Sequence, residues 1–409
     1  MEALILSYAL DTNGQNYRYV QAARKHGHDV LTALAIGNSD PAGVVGRFKK
    51  AADKGQELRI RSVSASKYEY LQFPIDIFWD KQRRGNNEQM IKELIMAADV
   101  IHLNNSEMAY KHFRIRKPAL LHHHGSLFRD GPERMLEKAK YYRMEQAVST
   151  IDLLRFAPDL LTWLPSAYDV DYFQEYAKQN ARQPDGRVLI VHCPTDRAKK
   201  HTAVLLAAVD TLKAEGLPVD LELVEFRPWT ESLAAKARAD IVFDQLMWGY
   251  GCNGIEAWAM GKPVIAGADD WTLGEMERQW GSLPFALATE QTLVDVLRQM
   301  VERHDYRQQY AEIGLAHVRK YHDEQPALAI LAELYQKAIH RFQRVRIPGK
   351  GPATGPVTFR QNGARKVYDP ETGEPIPFKD GQCVTDDPYT IDRLRHLARR
   401  RAFGIEEVA

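Results

Sequence analysis

A glycine-rich turn is the stretch of this sequence best suited to bind a phosphate. Gly249, Gly251 and Gly254 lie between two short apolar runs, 241–243 and 264–266, which have the composition of buried strands in a parallel sheet. A helix is predicted to begin just after the turn, near residue 255. Glycines let a backbone approach a ligand closely, and the N–H groups and dipole of a helix N-terminus favour negative charge. The stretch therefore predicts a nucleotide-binding pocket.

Glu256 follows the glycine turn and is predicted to lie in the first turn of that helix. A carboxylate there would repel a phosphate, so Glu256 is better suited to accept hydrogen bonds from the hydroxyl groups of a ribose. The simpler alternative is an acid that complements the positive end of the helix dipole. Cys252 and Asn253 lie within the turn itself and join Glu256 as candidate nucleotide-binding residues.

A basic, polar turn at 193–201 is a second candidate for phosphate binding, and it follows another predicted strand. In this turn the guanidinium of Arg197 offers a planar pair of donors to phosphate oxygens, and the ammonium of Lys200 offers a point charge. One preorganised donor in a closed site stabilises developing negative charge by roughly 3–4 kcal/mol. The alternative is that both residues are solvated surface charges. Thr195 lies in the same turn.

Units of strand, turn and helix recur along the chain and must position these residues. The first unit runs from a strand at 3–8 through a turn ending at Gly14 to a helix at 17–25, and similar units continue to residue 165. A second series begins at residue 187 and ends in a long amphipathic helix. The pattern predicts an α/β fold with two Rossmann-like domains, built on parallel sheets and facing a cleft.

The length and composition of the chain restrict its class. A chain of 409 residues suits two domains with an appendage, and a net charge of +1 gives no overall reason to expect a nucleic-acid or acidic-membrane partner. Cys193, Cys252 and Cys383 are too few and too widely spaced for a disulfide framework or a metal knuckle, which favours a reducing compartment. No apolar run reaches the length of a transmembrane segment. We therefore expect a cytoplasmic protein.

Several segments, taken in order, resemble those of GT-B glycosyltransferases, in particular the large retaining family 4. The aspartate-headed strand, glycine turn, helix acid and Ala-Met-Gly-Lys-Pro-Val run at 239–266 resemble the nucleotide-sugar-binding domain of that family. The turn with Arg197 and Lys200 resembles the one that binds the donor diphosphate. The His-Gly loop at 122–126 resembles the acceptor-domain loop, and residues 147–150 and 163–165 resemble the approach to the interdomain hinge.

The resemblance implies an enzyme that moves a sugar from a UDP- or GDP-sugar to an acceptor, with retention of configuration and without a metal ion or other cofactor. It makes His124, Arg197 and Lys200 the catalytic candidates, with His124 bonding the sugar or orienting the acceptor hydroxyl. The acceptor, whether a glycan, a virion protein or a modified DNA base, does not follow from it. The candidate donor-binding residues are Gly14, Thr195, Arg197, Lys200, Asp244, Gly249, Gly251, Cys252, Asn253 and Glu256.

The resemblance also assigns the parts of the chain. Residues 1–173 are expected to be the N-terminal Rossmann-like acceptor domain, and 187–325 the C-terminal Rossmann-like nucleotide-sugar domain. A long helix at 326–346 is expected to pack back toward the N-terminal domain. Residues 347–409 are expected to be a linker and a small basic appendage.

Two positions depart from the family pattern. The family has a second acid eight residues before Glu256, where this chain has Trp248, and a glycine where it has His201. The missing acid contacts the donor sugar in the family, and Asp244 with Gln245 lies close enough to supply a polar substitute. A non-catalytic sugar- or partner-binding protein of the same fold is therefore the first alternative to an enzyme.

An NAD-dependent oxidoreductase is the second alternative. The glycines at 249, 251 and 254 match the spacing of a dinucleotide-binding fingerprint, and Asp269 follows the next strand as a ribose-binding acid would. The helix after the turn, however, has room for only about two turns before residue 261, which is short for the usual crossover.

Two further patterns could indicate a metal. His122 and His124 are predicted to share one face of a strand and His123 to lie on the other, but no second cluster with ligand spacing follows, so buried core histidines are the preferred interpretation. Asp169 and Asp171 match the DxD signature of metal-dependent transferases. They follow Trp-Leu-Pro at the start of an interdomain segment, and a structural role is the preferred interpretation.

The C-terminal tail is basic. Residues 341–409 carry 13 Lys and Arg against 9 Asp and Glu. Contact with nucleic acid is one hypothesis, and a solvated helix face is the simpler one. The segment 378–394 loosely resembles short modules of phage-encoded proteins, which would imply a phage enzyme that modifies a virion protein or a DNA base.

Overall fold

The structure is a computed structural model of the chain. Residues Met1–Phe342 form one compact unit, and Gln343–Ala409 form a second. The structure describes residues 3–8, 15–27, 30–36, 77–80, 92, 95–107, 110–111, 113–225, 227 and 229–343, and in the tail 357–361, 367, 376, 378–380, 382–385, 391, 394–395, 398 and 405–408.

A seven-stranded parallel sheet forms the first half of the larger unit. Its strand order is β3-β2-β1-β4-β5-β6-β7, so the order reverses direction between β1 and β4, as in doubly wound folds. The strands are β1 (Ala3–Tyr8), β2 (Val30–Ile36), β3 (Ile77–Asp80), β4 (Val100–Asn104), β5 (Ala119–His123), β6 (Glu145–Val148) and β7 (Thr162–Trp163).

A second sheet follows, with the strand order β11-β12-β10-β8-β9 and with β13 paired to β12. Its strands pair in parallel except for β11, which runs antiparallel to β12. The strands are β8 (Val188–His192), β9 (Val219–Leu223), β10 (Ile241–Phe243), β11 (Trp248–Gly249), β12 (Val264–Ala268) and β13 (Ala286–Leu287).

Helices connect the parallel strands, as crossover connections require. A 3-10 turn spans Ile151–Phe156 and a π turn spans Val318–His322. The helices are α1 (Gln15–Lys25), α2 (Gly125–Arg129), α3 (Pro132–Tyr141), α4 (Val170–Gln179), α5 (Thr202–Ala214), α6 (Trp229–Arg238), α7 (Cys252–Ala259), α8 (Asp270–Trp280), α9 (Leu293–Glu302), α10 (His304–His317) and α11 (Glu324–Gln343).

The last long helix of the larger unit, α11, packs beside α1 on one face of the first sheet. Leu331 and Tyr335 of α11 are buried in the same apolar cluster as Tyr19 of α1 and Leu120 of β5. The Tyr19 hydroxyl donates a hydrogen bond to the carbonyl oxygen of Pro165 at 2.7 Å. The chain thus returns from the second sheet to cover the first.

The smaller unit contains a three-stranded antiparallel sheet with the order β15-β14-β16. Its strands are β14 (Val357–Gln361), β15 (Gln382–Thr385) and β16 (Ile405–Val408). The buried apolar residues described in this unit form one cluster, namely Phe359, Val367, Cys383, Ile391, Leu394 and Ile405.

Two elements differ from the sequence-based expectation. A continuous helix is predicted over 135–146, but α3 ends at Tyr141, Arg143 has a positive φ of 58°, and β6 begins at Glu145. The helix after the glycine turn begins at Cys252, not near residue 255, so Glu256 lies in its second turn. No helix among the described residues is long and apolar enough to cross a bilayer.

Buried histidines are a notable feature of both sheets. His102, His122 and His124 lie on one face of the first sheet, with 4.0 Å between the ring centroids of the last two, and His123 lies on the other face, stacked on Phe128. Their alternation follows the two-residue period of a strand. Burial lowers the pKa of His102 to about 3 and that of His123 to about 4.

These lowered pKa values predict an acid-sensitive fold. Above about pH 6.5 the histidines are neutral in both states, whereas below it the unfolded chain binds protons that the folded chain does not, so the free energy of unfolding falls. Replacing His102 by Gln, which keeps an acceptor near Tyr335, should reduce this slope by up to about 1.4 kcal/mol per pH unit between about pH 6 and 4. Urea unfolding at several pH values measures the slope. The same slope in both proteins would contradict the prediction.

Candidate functional site

Two loops meet at one edge of the second sheet. β8 and β10 are neighbouring parallel strands, so the loops that follow them leave from the same edge. The loop after β8 is the basic turn at 193–201, and the segment after β10 leads to the glycine turn. The side-chain amide of Asn253 donates a hydrogen bond to the carbonyl oxygen of Cys193 at 2.8 Å and so joins the two loops.

Asp244 is the centre of this contact. Its side chain is fully buried, one carboxylate oxygen accepts a hydrogen bond from Lys200 Nζ at 2.9 Å, and the other accepts one from the backbone N–H of Gly251 at 2.6 Å. Burial alone would raise the pKa of Asp244, but the charge of Lys200 and the Gly251 N–H outweigh it and lower the pKa. Asp244 is therefore a buried carboxylate that fixes Lys200 beside the glycine turn.

The glycine turn has a backbone that other residues would not adopt without strain. Gly249 has a φ of 78°, and a Cβ at this position would clash with the side chain of Met276. A Cβ on Gly251 would lie 3.7 Å from Lys200 Nζ. Gly251 is also the N-cap of α7 and gives it no side-chain cap. The first N–H groups of α7 have no acceptor within the helix, and the helix begins beside the Lys200 ammonium group.

Arg197 has a different partner from Lys200 in this structure. Its side chain is 59% exposed and forms a two-pronged ion pair with Glu225, with Nε and Nη2 at 2.9 and 2.5 Å from the two carboxylate oxygens. The Glu225 side chain is only 14% exposed, so the pair is exposed on the arginine side alone. Thr195 lies on the same exposed turn. Gly14 lies outside the described residues.

Glu256 lies in the interior and already has three partners. One oxygen pairs with the ammonium of Lys236, which is completely buried. The other accepts hydrogen bonds from Trp229 Nε1 at 2.9 Å and from Arg18 Nη2 at 3.2 Å. The sequence predicts that Glu256 accepts hydrogen bonds from ribose hydroxyls, whereas in the structure both of its oxygens already have protein partners. Cys252, at the start of the same helix, is half-buried.

The network around Glu256 joins the two sheets. Arg18 belongs to α1 of the first sheet, and its guanidinium lies 4.2 Å from the ring centroid of Tyr168. Burial would lower the pKa of Lys236, but the charge of Glu256 outweighs it and raises the pKa. Lys236 is therefore charged and lies against the Glu256 carboxyl group.

His124 follows β5 at the corresponding edge of the first sheet. It is 3% exposed, its Nε2 lies 2.8 Å from Asn104 Oδ1, and its backbone N–H donates to Asn105 Oδ1 at 2.6 Å. Burial, together with the neighbouring His102 and His123, lowers its pKa to about 3, so it is neutral at physiological pH. The structure places His124 below the protein surface, held by Asn104 at the end of β4 and by Asn105 directly after it.

Several solved structures resemble this chain over most of its length. The structure of HepE from Anabaena in complex with UDP is 15% identical, with a TM-score of 0.54, and the match covers 82% of this chain and all of HepE. HepE with UDP-glucose gives a TM-score of 0.52 at 14% identity, covering 84% and 100%. A glycosyltransferase from Rickettsia africae gives 0.52 at 14% identity, covering 83% and 98%.

The chain has the GT-B fold. Its two parallel sheets are the two Rossmann-like domains of that architecture. No protein-family model matches the sequence, and no curated protein sequence does either. At such low identity the similarity establishes the fold, and the chemistry has to be argued from the side chains.

Three acids that suggest other chemistry have structural roles in this GT-B chain. Asp169 caps α4 by accepting a hydrogen bond from the Tyr172 N–H at 3.0 Å, and Asp171 pairs with Arg319 at 2.6 Å. Asp269 caps α8 in the same way and pairs with Arg155 at 2.7 Å. Within the described ranges no group of His, Cys, Asp and Glu side chains is arranged to hold a metal ion.

Sequence reasoning did not identify Arg18, Lys236 or Glu225 as parts of the site. Lys236 resembles a solvated lysine of an ordinary amphipathic helix, and its burial depends on an acid from the next helix. Arg18 belongs to α1, which packs on the other sheet. The one available indication was the pairing rule itself, because a buried Glu256 requires a cation nearby.

The buried pair of Lys236 and Glu256 gives a stability prediction. Lys236→Met leaves Glu256 without its closest cation and should lower the free energy of unfolding by about 3–5 kcal/mol. Adding Glu256→Gln removes the uncompensated charge and should recover a large part of the loss. Urea unfolding of the single and double variants measures both effects.

Lys178 provides a matched control, because its side chain is 74% exposed beside Glu175. Lys178→Met should change the free energy of unfolding by no more than about 0.5 kcal/mol. Equal effects of the two lysine substitutions would contradict the assignment of Lys236 as a buried partner.

Proposed function

We propose that the chain is a glycosyltransferase that binds a nucleotide-sugar, a UDP- or GDP-sugar, at the carboxyl edge of its second sheet. The observation that carries the proposal is the contact of Lys200, Asp244 and Gly251, because it sets a cation beside a glycine turn and a helix N-terminus. These three features together suit a diphosphate. The GT-B neighbours bound to UDP and UDP-glucose support the same class of ligand.

Lys200 has the most direct role in this proposal. When the bond between the anomeric carbon and the diphosphate breaks, the electron pair stays on the diphosphate oxygen. An ammonium already fixed there stabilises that charge without reorganisation. The Lys200 side chain is 16% exposed, so a ligand can reach it. The N–H groups at the start of α7, from Cys252 and Asn253 onward, act on the same oxygens.

Arg197 and Glu256 take part through exchange of partners. Arg197, whose side chain is 59% exposed, leaves Glu225 and contacts the diphosphate, and the new charge pair offsets the cost of leaving the largely buried Glu225 carboxylate. Glu256 accepts a hydrogen bond from a ribose hydroxyl only if the hydrogen bond from Arg18 or from Trp229 to the same carboxylate oxygen breaks. Asp244, Gly249 and Gly251 shape the turn, and Thr195 lies at its exposed rim.

The acceptor approaches from the first sheet, where His124 orients its hydroxyl. The new bond forms between the acceptor oxygen and the anomeric carbon, and the acceptor proton passes to the departing diphosphate, so the step needs no external base. We expect retention of configuration, in line with the resemblance to family 4. Trp248 occupies the position of the family's sugar-binding acid. The guanidinium of Arg129 lies over the Trp248 ring, 4.7 Å from the ring centroid.

Binding of nucleotides tests the proposal. Isothermal calorimetry with UDP, GDP and their glucose and mannose conjugates should find at least one ligand. Lys200→Met should weaken its binding about 10- to 100-fold, the loss of one hydrogen bond to a charged group. The control is Lys199→Met, because Lys199 is the exposed neighbour in the same turn.

The outcomes separate the proposal from its alternatives. Transfer to an acceptor with an unchanged anomeric configuration, followed by NMR of the product, supports a retaining enzyme. Binding without transfer or hydrolysis supports a non-catalytic protein of the same fold, and binding of NADH in place of these nucleotides supports an oxidoreductase. Equal affinities of the Lys199 and Lys200 variants would remove Lys200 from the site.

A double-mutant cycle tests the role of Asp244. Asp244→Asn removes the charge that holds Lys200, so it should weaken binding nearly as much as Lys200→Met does. The double variant should then bind no more weakly than the weaker single variant, because both changes remove one unit. Calorimetry with the ligand found above measures the cycle. Fully additive losses would show that the two residues act independently.

A further inference from the structure

Tyr250 lies within the glycine turn, between Gly249 and Gly251, and its side chain points into the protein. The residue is 6% exposed and is surrounded by aromatic rings, with its ring centroid 4.7 Å from that of Trp258. Its hydroxyl lies 3.1 Å from His317 Nε2 and 3.1 Å from His322 Nε2. A side chain of the candidate donor site is thus held by two imidazoles.

The two imidazoles converge on one hydroxyl because of the π turn. His317 ends α10, and His322 follows it five residues later at the end of Val318–His322. In an α-helix two residues five apart point about 140° from one another, so both would not face Tyr250. The π turn, with its hydrogen bond of 2.9 Å from Asp323 N–H to the Val318 carbonyl oxygen, brings such residues to one face.

The hydrogen bonds in this group have one consistent direction. Burial lowers the pKa of His322 to about 4 and that of His317 well below its usual value, so both rings are neutral. His322 Nδ1 lies 3.1 Å from the carbonyl oxygen of Ser166 and must donate to it, which leaves Nε2 as an acceptor. Tyr250 therefore donates to His322 and accepts from the Nε2–H of His317.

The chain of hydrogen bonds ends on the segment that connects the two sheets. Ser166 follows β7 of the first sheet and precedes α4, and the Tyr168 N–H donates to the His322 carbonyl oxygen at 2.7 Å. The α4 helix is tied to the second sheet by the side-chain amide of Gln174, which donates to the Ala259 carbonyl oxygen at 2.8 Å. The connecting segment and the glycine turn therefore share the two histidines.

We propose that Tyr250 is a positioning residue whose hydroxyl, held by His317 and His322 of the π turn, fixes the glycine turn in its ligand-binding shape and couples it to the connecting segment at Ser166. This inference rests on the proposed function for the identity of the ligand. The coupling itself is a property of the free protein. It assigns a role to the π turn, which an uninterrupted α-helix could not fill.

The experiment compares two Tyr→Phe variants in the full chain. Tyr250→Phe removes the hydroxyl but keeps the ring. Tyr335→Phe is the matched control, because the Tyr335 hydroxyl also faces a buried imidazole, His102 Nδ1 at 3.0 Å, beneath the first sheet. Tyr250→Phe loses two buried hydrogen bonds and Tyr335→Phe loses one, so both variants should be destabilised and a loss of stability alone does not test the positioning role.

Hydrogen–deuterium exchange of the ligand-free proteins gives the decisive readout. Tyr250→Phe should raise the exchange rate of the peptide covering 249–254 by at least about tenfold, because it removes two buried hydrogen bonds of about 1 kcal/mol each. Tyr335→Phe should leave that peptide unchanged. In ¹⁵N spectra of the wild type, His322 should carry its proton on Nδ1 and His317 on Nε2. Unchanged exchange at 249–254, or the opposite tautomers, would overturn the proposal.

Nucleotide binding supplies the second readout and separates this inference from the proposed function. UDP and GDP should bind Tyr250→Phe about tenfold more weakly than they bind Tyr335→Phe. If neither nucleotide binds the wild type, the proposed function fails, and the exchange experiment still decides on the role of Tyr250. If a nucleotide binds wild type and Tyr250→Phe equally and exchange is unchanged, the positioning role fails and the proposed function stands.

Discussion

The candidate site depends on one interior carboxylate. Asp244 directly follows a central strand of the second sheet, and its side chain has no exposed surface. A buried carboxylate is tolerated only when its charge is compensated and its oxygens accept hydrogen bonds. Lys200 supplies the charge and Gly251 supplies the N–H, each from a different loop. The requirement that keeps Asp244 ionised therefore also determines where the cation and the glycine turn meet.

A second interior carboxylate, Glu256, is compensated in a different way, and the contrast indicates which group can meet a ligand. Lys236 is completely enclosed with Glu256, and Arg18 and Trp229 complete the set of partners. The Lys236–Glu256 pair joins α6 to α7, and Arg18 joins the same carboxylate to α1, which packs on the first sheet. Lys200 retains some exposed surface, so its ammonium can serve the interior carboxylate and an external anion together. The two ion pairs thus differ in solvent access, and under the proposed function only the Lys200 pair can meet the donor.

The sequence was sufficient for the features that depend on local pattern. All five residues of β8 are buried and the first four, 188–191, form an uninterrupted apolar run before His192, so the strand could be predicted, and the glycine turn was evident from composition. The environment of Glu256 could not be predicted, because its partners lie on two other helices, α6 and α1, and α1 packs on the first sheet. The same holds for Arg197, which meets Glu225 after the neighbouring strand, and for the burial of His124. Local pattern indicates a site's place, and tertiary packing decides which of its groups are available.

The glycine turn combines freedom of approach with a fixed shape, and the neighbouring side chains explain how. Glycine permits the positive φ of Gly249 but also leaves the chain many alternative conformations. Asp244 removes part of that freedom from the strand side by binding the Gly251 N–H, and Tyr250 removes more from the opposite side through its buried ring and hydroxyl. Donors act strongly on a developing charge only when they are oriented beforehand. The two anchors therefore supply the rigidity that glycine cannot, at the place where glycine is needed for close approach.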